Sequence, residues 1–318
     1  MTSRYFGPSG PIAMGALIVL ATVLLLTPFF FSLGEAAYYD NTTVLTLLNV
    51  TNVAPTISNV LVYDNDSLVS GNIILNQGTT DIVYCNATVT DLNGYLDIID
   101  YNATLFHETT TAGAADQNID HYTNATCMNS TISGNITSIN VQCTFNVWFY
   151  ANNGTWTCNV TAFDGNSINH SSGTEIIDPL FALDLNTSVI DYGELAPGDS
   201  SADDVPVRVT NFGNMDINVS VEGYGVTLHD GLAMDCILGD INVSYEKYDV
   251  QPGQTIANMY NLTENPLING VPGLTIPKNT VDGSNSTNTT FWKMHVPYGN
   301  PLKGFCNGTV LFSAIGPV

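Results

Sequence analysis

Residues 143–163 read CTFNVWFYANNGTWTCNVTAF. Successive side chains of an extended strand point to opposite faces. Cys143, Phe145, Val147 and Phe149 therefore share one side of the first run, and Trp156, Cys158, Val160 and Ala162 share one side of the second. Asn146, Thr157, Asn159 and Thr161 take the opposite sides. Between the runs, Ala-Asn-Asn-Gly has the composition of a tight turn, because Asn and Gly tolerate positive φ. The stretch predicts a β-hairpin with two cysteines on its apolar face. Its polar face carries Asn159-Val160-Thr161, an N-glycosylation acceptor.

The same alternation recurs on both sides. Residues 56–63, 73–75, 81–90, 98–106, 141–150 and 155–163 read as short strands separated by turn clusters, with no convincing amphipathic helix among them. Strands at this spacing predict an all-β antiparallel sandwich over residues 54–178. In residues 83–89 the apolar parity of Val83, Ala87 and Val89 includes Cys85, while Asn86 points outward. Between 109 and 140 the pattern dissolves, which predicts a long glycosylated loop with one irregular strand around Cys127. Residues 171–179 lack periodicity and read as a short linker. From 179 to 318 a second sandwich is expected. Val205, Val207 and Val209 alternate, Asn211-Phe212-Gly213-Asn214 turns, and Ile217, Val219 and Val221 alternate again. A closing strand has Cys306, Val310 and Phe312 inward and Asn307 outward, and residues 228–288 predict short strands and long loops.

The other end of the chain is apolar almost without interruption from Ile12 to Leu33. At 1.5 Å per residue such a run crosses a hydrocarbon core of about 30 Å as a helix, whereas a cleaved signal needs only about 7 to 15 apolar residues. Pro28 and the small residues around Glu35 fit cleavage. Residues 1–36 thus read as a signal peptide or a membrane anchor, and Arg4 predicts that everything after Leu33 is outside the cell. Residues 37–53 follow as a spacer, or as a strand looking for a partner.

Composition agrees with export. The formal net charge is -23, from 29 acidic and 6 basic side chains. After Arg4 the basic residues are Arg208, Lys247, Lys278, Lys293 and Lys303. Nucleic-acid binding requires clustered cations against the phosphates and is excluded; anionic lipid is disfavoured for the same reason. About half of all asparagines begin an acceptor triplet, among them Asn49, Asn86, Asn102, Asn159, Asn218 and Asn307. Parity turns Asn86, Asn159, Asn218 and Asn307 away from the core, and Asn102 reads as a further outward acceptor. The six cysteines, Cys85, Cys127, Cys143, Cys158, Cys236 and Cys306, form no C-x-x-C pair. An even count in an exported chain predicts disulfides rather than zinc or redox chemistry. Four precede residue 180 and two follow it, which fits two separately stapled units.

No nucleophile elbow, zinc-protease helix, phosphate loop or dinucleotide fingerprint occurs, so no catalytic residues and no organic cofactor are expected. His107, His121, His170, His229 and His295 are scattered and read as exposed or singly bonded side chains. Trp148 falls on the outer face of its strand, where it offers a stacking surface for sugar or packs under a loop. Trp156 belongs to the core face.

With Asp191-Tyr-Gly-Glu-Leu-Ala-Pro-Gly, Val207-Arg-Val-Thr-Asn-Phe-Gly-Asn and Gly308-Thr-Val-Leu-Phe-Ser-Ala, the second unit resembles immunoglobulin-like adhesion modules of archaeal and bacterial surface proteins. The first, with Cys85-Asn-Ala-Thr-Val-Thr-Asp-Leu-Asn-Gly, is similar to Ig-like or cadherin-like modules of archaeal envelopes, although no Trp lies between Cys85 and Cys143. The resemblance implies a bridge between sheets from Cys85 to Cys158, which leaves Cys127 with Cys143 and Cys236 with Cys306. It also implies that the strands of Cys85 and Cys158 run the same way. Asp91 and Asp164, each six residues past its cysteine, then emerge together, with Asn93, Asp97 and Asn166 nearby as further oxygen donors. Such a set suits calcium; the alternative is that these residues only cap their own turns. The functional expectation is a non-catalytic, N-glycosylated surface protein, structural or adhesive. Its partners would be other surface proteins, glycans or copies of itself, with membrane contact only through an uncleaved N-terminus. The alternatives are a fibre subunit in which residues 44–50 add a strand to a neighbour's open sheet, and a secreted carbohydrate-binding module using Trp148.

Overall fold

The computed structural model describes residues 42–65, 71–299 and 301–317; the apolar N-terminal segment with Arg4 lies outside the described residues. No helix among the described residues is long and apolar enough to cross a membrane. Residues 42–50 belong to a separate unit and are exposed, without secondary structure. Thr51–Val318 form one compact unit. It is all-β, with antiparallel sheets and three single-turn 3₁₀ helices among the described residues. The boundary expected at 178/179 thus falls inside a compact unit.

The first sandwich contains β1 (Thr56–Asp64), β2 (Thr80–Thr90), β3 (Asp100–His107), β4 (His121–Asn124), β5 (Met128–Thr131), β6 (Ser138–Trp148), β7 (Gly154–Phe163) and β8 (Ile168–Ile177). One sheet has the order β1-β2-β6-β5 and the other β4-β3-β7-β8. This is the immunoglobulin arrangement, with β4 added to the second sheet. Alternation sets its core: Val83, Cys85, Ala87 and Val89 of β2 are buried with Val141, Cys143, Phe145 and Val147 of β6 and Trp156, Cys158, Val160 and Ala162 of β7. Trp156 is fully buried, and its Nε1 donates to the Asn152 carbonyl at 2.7 Å.

The expected hairpin is not one. β6 pairs with β2, and β7 with β3 and β8, so the two runs lie in opposite sheets, joined by an arch over residues 149–153. Both runs carry their large apolar side chains on one face, and facing each other across a core buries both sets. Phe149, Tyr150 and Ala151 of the arch are themselves buried. The expected linker is also a correction: residues 168–177 form β8, whose alternation is hidden by Ser, Gly and Thr because its outer face meets water. Residues 109–140 hold two short strands, β4 and β5, where one was expected.

A second core follows. β9 (Leu183–Leu185), β10 (Val205–Asn211), β14 (Glu246–Asp249), β15 (Tyr260–Asn261) and β17 (Thr287–Met294) make a sheet of order β15-β14-β17-β10-β9. β11 (Ile217–Tyr224), β16 (Thr275–Ile276) and β19 (Thr309–Ile315) make the opposing sheet, β16-β11-β19. Between them lie Val207, Val209, Val219, Val221, Tyr248, Ile276 and Trp292. A third small sheet, β13-β12-β18, is built from β12 (Leu232–Leu238), β13 (Asp240–Asn242) and β18 (Lys303–Asn307). The single closing strand expected through Cys306 and Phe312 is therefore broken in two at Gly308. A Cβ there would sit 1.7 Å from the Ala233 carbonyl oxygen, so only glycine fits.

The two layered cores meet through polar and aromatic contacts. Gly78 N donates to Phe212 O at 3.3 Å, the Phe149 and Phe212 rings lie edge to face at 5.6 Å, and Leu180 N donates to Asn214 Oδ1 at 2.7 Å. Lys278 Nζ donates to Asn152 Oδ1. Three disulfides join Cys85 to Cys158, Cys127 to Cys143 and Cys236 to Cys306. The first spans the two sheets, even though Cys143 is the direct cross-strand neighbour of Cys85.

Candidate cation site

β2 and β7 end at the same pole of the first sandwich, the one away from the second core. The Cys85–Cys158 bridge holds the two strands face to face, and the residues just past their ends, Asp91 and Asp164, bring carboxylate oxygens within 4.8 Å of each other. Asp91 opens the first turn. Its backbone N donates to Thr137 O at 2.8 Å, and its Oδ1 accepts from Asn93 N at 2.7 Å. Asp97 follows in the 3₁₀ turn Tyr95–Asp97. Asp164 opens the turn after β7, where its Oδ1 accepts from Asn166 N at 2.8 Å and Ser167 N at 2.6 Å. One carboxylate oxygen from each of Asp91, Asp97 and Asp164 lies within 4.8 Å of the others.

Two further observations bear on this cluster. Asp91 is fully buried, and its Oδ2 has no hydrogen-bond partner among the described residues. A buried carboxylate oxygen without a donor is costly unless a cation or ordered water meets it. Moreover, residues 54–178 contain no Lys or Arg at all, so no permanently charged side chain of this sandwich neutralises the three carboxylates. Carboxylates 4 to 5 Å apart repel by roughly 3 to 4 kcal/mol at an effective dielectric of 20. Asp164 is nonetheless held below the usual carboxylate range, first by the Asn52 side chain and then by turn amides, so its charge persists. Oxygens on opposite sides of one calcium ion at 2.3 to 2.6 Å are about 5 Å apart, so one ion can span three oxygens that lie within 4.8 Å of one another.

Asn93 takes a different place from the one its sequence position suggested. Its Oδ1 accepts from Val53 N at 2.7 Å and its Nδ2 donates to Thr51 O at 3.3 Å, so its amide pins the incoming chain. Asn52, which the sequence placed only near the end of the spacer, donates from Nδ2 to Asp164 Oδ2 at 2.9 Å. The only signal for it was an asparagine two residues from Ala54-Pro55. The carboxylates and the point where the chain joins the sandwich are thus one structure.

The remaining candidate residues are dispersed. Asn102 and Asn159 are half-buried on the sheet surface, and Asn307 is exposed. Asn86 turns away from the core, but its Nδ2, the atom that would carry sugar, donates to Tyr63 Oη at 2.6 Å and its Oδ1 is buried. Asn218 Oδ1 accepts from Thr275 Oγ1 at 2.7 Å. Trp148 is half-buried and stacked on Tyr150 at 5.6 Å, so it is packing material rather than an open platform. His107 and His121 are buried, with both ring nitrogens engaged.

No family model matches this chain. No curated protein matches it either. Among solved structures it is similar to the C-terminal domain of the AgI/II polypeptide BspA of Streptococcus agalactiae, at 9% identity over 83% of this chain and 100% of that chain, with a TM-score of 0.22. A second such structure, described as BspA_C_WT, gives 8% identity over 78% of this chain and 95% of that one, with a TM-score of 0.19.

Proposed function

We propose that the chain is a non-catalytic, N-glycosylated protein of the extracellular cell surface, structural or adhesive, whose first sandwich is fixed to its preceding segment by calcium. The observation that carries this reading is the convergence of Asp91, Asp97 and Asp164 where Asn52 and Val53 dock, in a sandwich without Lys or Arg. A cation there removes the repulsion among the carboxylates and stiffens the point where Asn52 and Val53 dock on the sandwich. Three disulfides and the scarcity of basic side chains support an oxidising, extracellular setting. Extracellular modules bind calcium at about 0.1 to 1 mM.

The test is thermal melting of the full exported chain in millimolar calcium and in chelator, for wild type and Asp91→Asn. Calcium at ten times its dissociation constant stabilises by about 1.4 kcal/mol, so an upward shift of a few degrees in wild type and none in the variant is expected. A wild-type melting temperature indifferent to calcium would end the cation reading. Glycopeptide mapping of the same material checks Asn102, Asn159 and Asn307 for sugar.

A further inference from the structure

The second core is unfinished along one side. The sheet β16-β11-β19 ends at β19, whose outer edge pairs with no strand among the described residues. Across from it, β9 covers only Val209, Thr210 and Asn211 of β10, leaving residues 205–207 uncovered on that side apart from the irregular segment beyond Asn186. An open groove of about 850 Å³ runs between them, lined by Leu185, Ile190, Val207, Met294, Val310 and Phe312 among others. The core-facing residues of β19 report the gap. Val310, Phe312 and Ala314 are only half-buried, whereas Ile217, Val219 and Val221 on the neighbouring β11 are buried completely.

The same chain carries an apolar segment that is exposed among the described residues. Residues 44–50 read Val-Leu-Thr-Leu-Leu-Asn-Val, and Val44, Leu45, Leu47, Leu48 and Val50 are 72 to 88% exposed. Its seven residues equal the length of β19. Residues 41–53 carry no charge, so the segment approaches a chain of net charge -23 without adding repulsion. We propose that residues 44–50 of one copy enter the groove of a second copy and pair with the free edge of β19, completing that copy's core and linking copies head to tail.

Geometry excludes the segment's own groove. Thr51 is held by Asn93 at the pole beyond Thr90, while the second core joins the first sandwich beyond the other end of β2, at Gly78. The strand between, Thr80–Thr90, is about 35 Å long at 3.2 to 3.4 Å per residue. Val50 is one peptide bond, about 3.8 Å, from Thr51. A donated strand gains main-chain hydrogen bonds along the edge and buries alternate side chains in the groove. Because donor and acceptor are different surfaces of one chain, the contact is heterologous and propagates into a filament unless it closes into a ring.

The test uses the full exported chain with calcium present throughout. Light scattering after size exclusion, with electron microscopy, is expected to find linear multimers for wild type. The double variant Leu47→Asp, Leu48→Asp should be monomeric with an unchanged melting temperature, since both side chains are exposed among the described residues. Mixing a Leu48→Cys chain with a Val310→Cys chain should give a disulfide-linked pair. A monomeric wild type overturns the proposal, as do multimers that survive the double variant or a cross-link that forms only within one doubly substituted chain. These outcomes leave the calcium response untouched, so failure here is distinguishable from failure of the function proposed above.

Discussion

The first sandwich closes on itself, whereas the second core does not, and the contrast lies in what each does with its outermost strands. In the first, β1 of one sheet runs against β8 of the other, and Gly173 lets the Val60 carbonyl approach so closely that a Cβ would sit 2.3 Å from its oxygen. In the second, the corresponding place between β9 and β19 is a groove. Closure removes a sheet's free edges, and an exposed free edge invites another strand. On this side the first sandwich is sealed by its own strands, and the second core is left open.

The bridges offer the largest test of this contrast. Cys85–Cys158 and Cys236–Cys306 close loops of nearly equal separation, 73 and 70 residues, so chain entropy alone assigns each about 4 to 5 kcal/mol. Only the first lies in the middle of a packed core, with both sulfurs' residues fully buried. Cys85→Ala with Cys158→Ala should cost more than Cys236→Ala with Cys306→Ala, the excess being the cavity left behind, on the order of 1 to 2 kcal/mol. Chemical denaturation of the two double variants measures it. Equal losses would mean that the first core is no more tightly packed than the third sheet.

Acid separates the halves next. Glu246 of β14 is almost fully buried in the wall of the groove, and burial lifts its carboxyl to about 7, although Tyr192 donates to its Oε1 at 2.6 Å. Its folded value lies above its unfolded one, so its contribution is full below about pH 4.5 and is lost as pH rises through 7, a span on the order of 3 kcal/mol. Asp164 in the first sandwich and Asp230 in the second are held low, Asp164 by the Asn52 side chain and Asp230 by backbone amides. What they contribute is present above the ordinary carboxylate range and is lost on acidification through their lowered values. Stability should thus rise from pH 7 toward 5 and fall below 4, and Glu246→Gln should flatten the upper limb alone. A wild-type profile flat between pH 5 and 7 would contradict the burial of that charge.

What the residues revealed in advance was whatever depends on period. Alternation in 83–89 and 156–162 specifies which side chains face the core, and equal spacing past two cysteines brings Asp91 and Asp164 to one pole once their strands run in parallel. What they concealed depends on partners far along the chain. A tight hairpin turn and an arch between sheets use the same Asn-Asn-Gly; what distinguishes them is the pairing of β6 with β2 and of β7 with β3, together with the burial of Phe149, Tyr150 and Ala151. Likewise Asn86 has an outward parity, yet Tyr63, 23 residues away, occupies its amide. The groove was hidden because no local pattern records the absence of a neighbouring strand.

The smallest effect comes from the closed edge itself. Gly173 of β8 does not need glycine for its backbone angles, since it is not among the glycines with positive φ; it needs glycine for space. Gly173→Ala places a methyl 2.3 Å from Val60 O and 3.2 Å from Val60 Cγ1, against backbone that cannot rotate aside. β1 must retreat, and overpacking of this kind costs about 1 to 3 kcal/mol. At the open edge, Val310→Ile adds one methylene beside the groove, where nothing has to retreat, and should change the monomer's stability by less than about 0.5 kcal/mol. Urea unfolding of both variants, made in the assembly-deficient Leu47→Asp, Leu48→Asp background, measures the two edges in one chain without contributions from a donated strand. If Val310→Ile proved as damaging as Gly173→Ala, the groove would already be filled from within the chain, and the difference between a finished and an unfinished sandwich would disappear.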